Sequence, residues 1–529
     1  MTDVQYAYWT GRDSEQAMGG RACHAYFEFD CEADISIERL GKAWIKVVNY
    51  HPMLRACFQK DGKFCILDNT KNTIKIHDLS TYSSNEAENH FLKLRKELSH
   101  KKLDIEHGIG AALEIIELPD SKKMVIDIDM LVADMQSLQI IFRDLVNAYK
   151  FPEKYAERFD MLFLEYLEQE KTIKNNEYIE SKKFWNSRLR ELPKNPELPL
   201  AKDPSKIVNP IFERKSRIID KNTWMLLADK ARHSEATLAM ILLTAYVEVV
   251  SYWSSEKEFL INIPIFNRIT NVNNIEDAVA DFTNLLLLPV SINETHSFSE
   301  HLRLISQTFQ KYIQYTAYSG VEVQREMTKL YPNSRFFAPV VFSYNVGEAM
   351  ISETFEESIG HLSYMITQTP QVWLDNQTIE LNEGILIAWD YVAELFPGKI
   401  IEDMFGCYIN VLEKLSVADN WDKQFVMLPS HQLKIRKDLE SKMEIEDENL
   451  FSSFMRMAYT EQERIAVIEG GTGAKITYWG LYNKAKKIAG LLKLNKISSG
   501  DSVAICIEKG IEQIATVLGV SFLGAKFVP

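Results

Sequence analysis

From Met124 to Leu131 the chain reads MVIDIDML, with apolar and polar side chains alternating at period two, which predicts a half-buried strand. Directly after it, Met135, Leu138, Ile141, Phe142, Leu145 and Val146 recur at three-and-four spacing, which predicts an amphipathic helix packed on a sheet. Asp129 therefore closes the strand. Asp134 opens the helix, where its carboxylate is placed to cap the first turn.

The same alternation of strand and helix patterns fills the first third of the chain. A lysine-rich helical stretch from Phe159 to Leu192 leads into LPKNPELPLAKDP (192–204), whose four prolines forbid regular structure and predict a linker. The second half repeats the style. A long apolar helix over Thr237–Trp253 precedes strands at FLINIPI, FTNLLLLPV, FAPVVFSYN, LSYMITQTPQVWLD (362–375) and GILIAWDYV. The segment from Ser416 to Leu450 is charged and weakly patterned, as a linker would be. A fresh helix-and-strand pattern starts at Leu450 and is still running at Pro529, so we expect the chain to stop inside a domain.

At 529 residues and 46% hydrophobic, the chain can bury more than one core, because single cores stop growing at roughly 250 to 300 residues. A net charge of -14 and a pI near 5.4 argue against a nucleic-acid partner, which needs concentrated Lys and Arg. The six cysteines, Cys23, Cys31, Cys57, Cys65, Cys407 and Cys506, form no CxxC pair and no zinc-type spacing. They read as buried thiols of a cytoplasmic protein, with no metal site. The longest apolar run, ATLAMILLTAYVEVV, is too short to span a bilayer and is interrupted by Glu248, so no membrane partner is expected.

Several motifs narrow the reading further. QYAYWTGR (Gln5–Arg12), YHPML (Tyr50–Leu54), DMLVADMQS (Asp129–Ser137), LPKNPELPLAKDP, ADFTNLLLL (Ala280–Leu288) and TQTPQVWLD (Thr367–Asp375) follow one another, the last joined by thirteen residues to Trp389 and Asp390. In this order they resemble the heterocyclization domains of nonribosomal peptide synthetases, relatives of condensation domains. The DxxxxDxxS, LPxxPxLPLxxxP, (G/A)DFTxLxLL and TPQVxLD patterns are all matched, while Tyr50 stands where that family has Arg. The tail resembles the start of an adenylation domain, through ITYWGL (Ile476–Leu481) and FLGAKFVP (Phe522–Pro529). The GGTG at Gly470–Gly473 reads as a turn between strands.

The resemblance implies an α/β, chloramphenicol-acetyltransferase-like pseudodimer: two lobes forming a V around a central tunnel, followed by a partial adenylation-domain fragment. Its expected divisions are a first lobe over 1–175, a second over 176–425 that contains the 192–204 linker, an interdomain linker over 426–449, and the adenylation start over 450–529. Ordinary condensation domains carry HHxxxDG at the strand-to-helix turn. Superposed on that motif, this chain puts Asp129 on the first His, Met130 on the second and Asp134 on the Asp. A methionine cannot shuttle protons, so the ordinary chemistry is not available there.

The implied reaction is amide formation between two carrier-bound acyl groups, followed by attack of a Cys, Ser or Thr side chain on the new carbonyl and loss of water to a thiazoline or oxazoline. By resemblance, Asp375 is the acid and base of the second step, assisted by Ser343, which stands on the family threonine of a PVVFTS strand; Tyr344 stands on its serine. A carboxyl in an apolar tunnel has a raised pKa suited to that work. Asp134, with Ser137 and Arg268, is expected as a buried ion-pair anchor, while for Asp129 a part in the chemistry and a role that only orders the channel both stay open. Gln368, Gln371, Trp389 and Asp390 are candidates for orienting the intermediate, with solvent-facing or core-packing roles as the plainer alternative. The implied partners are an upstream donor and a downstream acceptor peptidyl carrier protein, whose phosphopantetheine arms bring the only cofactor, and an adenylation domain in cis. A condensation-only enzyme giving a linear amide, and an inactive carrier-docking scaffold, are the rival readings.

Overall fold

The computed structural model describes every residue except 69–72, 156–161, 174–175, 267, 269–271, 333, 335–337 and 443–448. Parts of the helix expected over 159–192, of the FAPVVFSYN strand and of the 426–449 linker lie outside the described residues. Contacts divide the chain into two compact units, Met1–Pro429 and Ser430–Pro529.

Strands of the first unit, in chain order, begin with β1 (His24–Cys31), β2 (Ala56–Phe58), β3 (Phe64–Ile66), β4 (Lys75–Asp78), β5 (Ala111–Glu117) and β6 (Lys122–Asp129). They continue with β7 (Phe212–Asp220), β8 (Glu258–Phe266), β9 (Thr283–Ser291), β10 (Val340–Asn345), β11 (Gly360–Gln368), β12 (Leu374–Leu381) and β13 (Gly384–Val392). Four helices of the N-terminal part are α1 (Asp3–Gly11), α2 (Ile37–Tyr50), α3 (Ser84–Leu98) and α4 (Met135–Lys150). One large sheet has the order β11-β1-β6-β5-β4 and a second β7-β13-β12-β10-β8-β9, while β2 and β3 pair as a separate antiparallel ribbon.

Each sheet carries its own core. α4 lays Leu138, Ile141, Phe142 and Leu145 against the first sheet, where the Phe142 ring meets Phe27 edge to face at 5.1 Å. The helix Leu238–Trp253 is predominantly apolar and buried without a break from Met240 to Ser251, with Glu248 paired to His301 at 2.7 Å, so it lies inside the second core rather than on its surface. Thr237 caps it by accepting from the Met240 amide at 3.3 Å. Among the described residues no single helix is long and apolar enough to cross a membrane.

Three expectations need correction. The stretch 362–375 is not one strand. β11 pairs with β1 in the first sheet and β12 with β13 in the second, and the chain changes sheets through Thr369–Trp373, where Pro370 has no amide to give a ladder and Gln371 takes φ +67°. The lobes are therefore not sequential halves. Nor is 416–450 a plain linker: Trp421 and Phe425 are buried against Phe298, and Ser430–Lys442 forms a helix. Finally, the thiols are not uniformly buried, since Cys65 and Cys506 are exposed and Cys31 and Cys57 half-buried.

The second unit is a small α/β piece. A hairpin, Ile465–Ile468 with Lys475–Thr477, turns through Gly470–Gly473, where the Gly473 amide donates to the Glu469 carbonyl at 2.8 Å. Helices Tyr478–Leu494 and Ile511–Phe522 pack on each other beside the parallel pair Ser502–Ala504 and Lys526–Val528.

Candidate active site

The turn between β6 and α4 is held by two guanidinium groups. Asp129 is wholly buried; it pairs with Arg12, just past α1, and accepts from the Leu131 amide at 3.0 Å. Burial raises its pKa, against the pull of Arg12. Arg12 also donates to the Leu103 carbonyl at 2.7 Å, and Gln5 Nε2 donates to the Leu131 carbonyl at 2.7 Å, so α1 is clamped on the turn. Gly11 lets α1 come close to the sheet crossover, since a Cβ there would lie 2.6 Å from Pro370. Asp134 caps α4. Its Oδ1 accepts from the Ser137 amide at 2.8 Å and from Arg268 at 2.6 Å, and its Oδ2 accepts from the Phe282 amide at 3.3 Å. Ser137 Oγ lies 2.8 Å from the Ala280 carbonyl and accepts from the Ala280 amide at 3.1 Å. Asp134, Ser137 and Arg268 thus form one buried knot that ties α4 to the start of β9.

A second cluster lies on the other sheet. Register places Asp375 of β12 opposite Asp390 of β13, and Asp390 opposite Arg214 of β7, so the three side chains stand in a row on one face. Arg214 grips Asp390 through two hydrogen bonds of 2.6 and 2.5 Å, and donates to Gln377 Oε1 at 2.7 Å. That bond fixes the Gln377 amide so that its Nε2 donates to Asp375 Oδ2 at 2.8 Å. On the other side Ser343 Oγ, from β10, donates to Asp375 Oδ1 at 3.2 Å. Thr367 donates to Asp390 Oδ2 from both its amide and its hydroxyl, each at 2.8 Å.

Asp375 is 9% exposed. Burial pushes its pKa up to about 7; the Gln377 hydrogen bond opposes the rise and the neighbouring Asp390 adds to it. A carboxyl so placed exchanges a proton near neutrality, which is the condition for efficient acid and base work. Among the described residues no group of three or more His, Cys, Asp or Glu side chains is arranged to hold a metal ion.

The remaining candidates divide. Asp390 belongs to the Asp375 network as a charge neutralised by Arg214. Gln368 is fully buried in the first sheet and donates to the Ser99 carbonyl. Gln371 is exposed on the crossover and Trp389 packs into the core with Tyr246, Phe405 and Tyr408, its Nε1 donating to Asn376 at 2.9 Å, so neither is brought to Asp375. Sequence reasoning missed Arg214 and Gln377. The i, i+2 spacing of Asp375 and Gln377 on one strand was a usable signal for the glutamine; Arg214 gave none, sitting in the polar run FERKSRIID.

Residues 1–429 match the condensation-domain family, and residues 454–529 match the AMP-binding enzyme family; the chain belongs to the condensation-domain family and carries part of an AMP-binding segment after it. Its fold is the two-lobed, chloramphenicol-acetyltransferase-like one of that family. Among relatives, the chain is 32% identical over 535 residues to pyochelin synthetase PchE of Pseudomonas aeruginosa strain UCBPP-PA14, covering 100% of this chain and 37% of PchE. It is 30% identical over 544 residues to phenyloxazoline synthase MbtB of Mycolicibacterium paratuberculosis, covering 100% of this chain and 45% of MbtB. The cyclization-docking bidomain of the EpoB nonribosomal peptide synthetase from Sorangium cellulosum superposes with a TM-score of 0.73 at 29% identity, covering 80% of this chain and 86% of that one. The chain thus spans less than half the length of these two curated relatives.

Proposed function

We propose that residues 1–429 are a heterocyclization domain: it condenses an acyl or peptidyl group on a donor carrier protein with cysteine, serine or threonine on an acceptor carrier, then cyclodehydrates the amide to a thiazoline or oxazoline. The observation that carries this reading is Asp375, a buried carboxyl held between Ser343 and Gln377 and pushed up to about 7. Amide formation needs mainly that the amine and thioester be held together. Loss of hydroxide needs a proton donor, and a positioned acid and base contribute about 10² to 10⁴-fold.

Met130 supports the same reading from the other sheet, because it stands at the β6–α4 turn where condensation domains have the second histidine of their motif, and a thioether carries no proton. The likeness to a cyclization domain and to a phenyloxazoline synthase agrees with it. The carriers bring the phosphopantetheine, the adenylation domain in cis supplies the acceptor amino acid, and the protein works in the cytoplasm.

The test is the intact mass of the product on the acceptor carrier, with a benzoyl-loaded donor carrier and a cysteinyl-loaded acceptor carrier. A product lacking one further water after amide formation is expected from the wild type, and linear amide from Asp375→Ala. Linear amide alone from both proteins would establish a condensation-only enzyme.

A further inference from the structure

The ADFT segment that opens β9 is matched as a motif yet has no part in the chemistry above, and its aspartate is the least satisfied carboxylate near the site. Asp281 is wholly buried, and its Oδ1 accepts from the Thr283 amide at 3.0 Å. Its Oδ2 is buried with no hydrogen-bond partner among the described residues. A buried carboxylate oxygen without a donor is costly, so the group should be a neutral acid there, holding its proton for something that arrives.

Neighbouring groups show where that proton is offered. The flanking Ala280 is stitched to Ser137, and Phe282 to Asp134, which fixes the backbone on either side of Asp281. From α1 comes Tyr8, whose hydroxyl feels the Cys23 thiol and the carboxyls of both Asp281 and Asp375. Cys23, 3.5 Å from Thr369 Oγ1, in turn feels Asp129 and Asp281. Tyr8 and Cys23 thus stand within electrostatic reach of Asp281, with Asp375 also acting on Tyr8 and Asp129 also acting on Cys23. Tyr8, Thr369 and Ser343 each keep partial exposure, while Asp281 is fully buried behind them.

Resting on the cyclodehydration reading, we propose that Asp281 is a second catalytic residue, the acid that protonates the amide carbonyl oxygen while Asp375 acts as base. The cysteine sulfur bonds to the amide carbon as its thiol proton passes to the Asp375 carboxylate, and the carbonyl oxygen takes the Asp281 proton. In the second half Asp375 protonates that hydroxyl, which leaves as water. The nitrogen forms C=N and gives its proton to Asp281, so both groups return to their starting states. Burial pushes Asp281 up to about 8, with the Asp134 charge adding to the rise and the Thr283 hydrogen bonds and Arg268 opposing it. Burial raises both carboxyls, but Asp281 has an Oδ2 without a donor among the described residues while Asp375 is held between Ser343 and Gln377, the unlike surroundings that divide an acid from a base.

Single-turnover reactions with the benzoyl-loaded donor and cysteinyl-loaded acceptor carriers, read by intact mass, give amide and ring formation as separate rates. For Asp281→Asn, the ratio of ring formation to amide formation should fall by about 10²-fold. The alkaline limb of the wild-type ring-forming rate, centred near pH 8, should vanish in the variant. An unchanged ratio with the alkaline limb intact overturns the proposal. Equal loss of both steps with a lowered melting temperature also overturns it and makes Asp281 a residue of the fold. A wild type that gives only linear amide removes the cyclodehydration reading itself, and the role of Asp281 with it.

Discussion

Arg268 donates to Oδ1 of Asp134 at 2.6 Å with both side chains buried, joining the first turn of α4 to the segment that follows β8. Removing either partner strands the other as a buried charge, which costs about 3 to 5 kcal/mol. Asp134→Ala and Arg268→Ala should each show that loss in urea unfolding. The double variant should lose less than their sum, by about 0.5 to 3 kcal/mol. Simple additivity would show that the two residues act through other contacts, and loss of activity in Asp134→Ala would then need another cause.

This knot was the most legible part of the site, because its signal is local: a period-two strand, a break, and a helix whose first turn needs an acceptor at Asp134. The partner Arg268 came only through family resemblance, being 134 residues away along the chain. Arg214 was not legible, and Asp281 was legible only as a letter of the ADFT motif with no role attached. Arg214 looks like one more charge on a polar strand, and only the register of β7 against β13 shows that it neutralises Asp390. Asp281 is a single polar residue before an apolar run, and what distinguishes it is an oxygen left without a donor among the described residues. The sheet crossover at Thr369–Trp373 was hidden for a related reason: alternation continues across it, so the pattern reads as one strand while the pairing partners change.

Ser343 is the second point of control. Its hydroxyl reaches Asp375 at 3.2 Å, longer than the usual O–H···O distance of about 2.7 to 2.8 Å, and serine lacks the methyl that fixes χ1 in threonine. Ser343→Ala removes a hydrogen bond to a carboxylate, a loss of about 1.5 to 3 kcal/mol, and ring formation should fall about 10- to 100-fold. Ser343→Thr restores a stiffer rotamer and should speed ring formation about 2- to 5-fold. Single-turnover rates with loaded carriers decide both. A slower Thr variant would show that the strand is fitted to serine.

The elevated pKa of Asp375 also has a thermodynamic signature that needs no substrate. In the folded chain the group titrates near 7, against an ordinary value of 3.8, so between those values the folded state binds more protons than the unfolded state. The contribution of this carboxyl to stability therefore falls as pH rises from about 4 to about 7, then levels off. Asp375→Asn removes the titrating group while keeping its shape. The stability of the variant relative to wild type should therefore increase by about 3 kcal/mol between pH 5 and pH 8, about 1.4 kcal/mol for each of the roughly two pH units from 5 to 7 over which the folded group keeps a proton that the unfolded one has lost. Paired urea unfolding curves at the two pH values measure this directly, and other groups cancel in the difference. A difference that does not change with pH would mean that Asp375 ionises as an ordinary aspartate, and an ordinary aspartate would be too weak a base and too scarce an acid at neutral pH to cycle a proton through the ring-closing step.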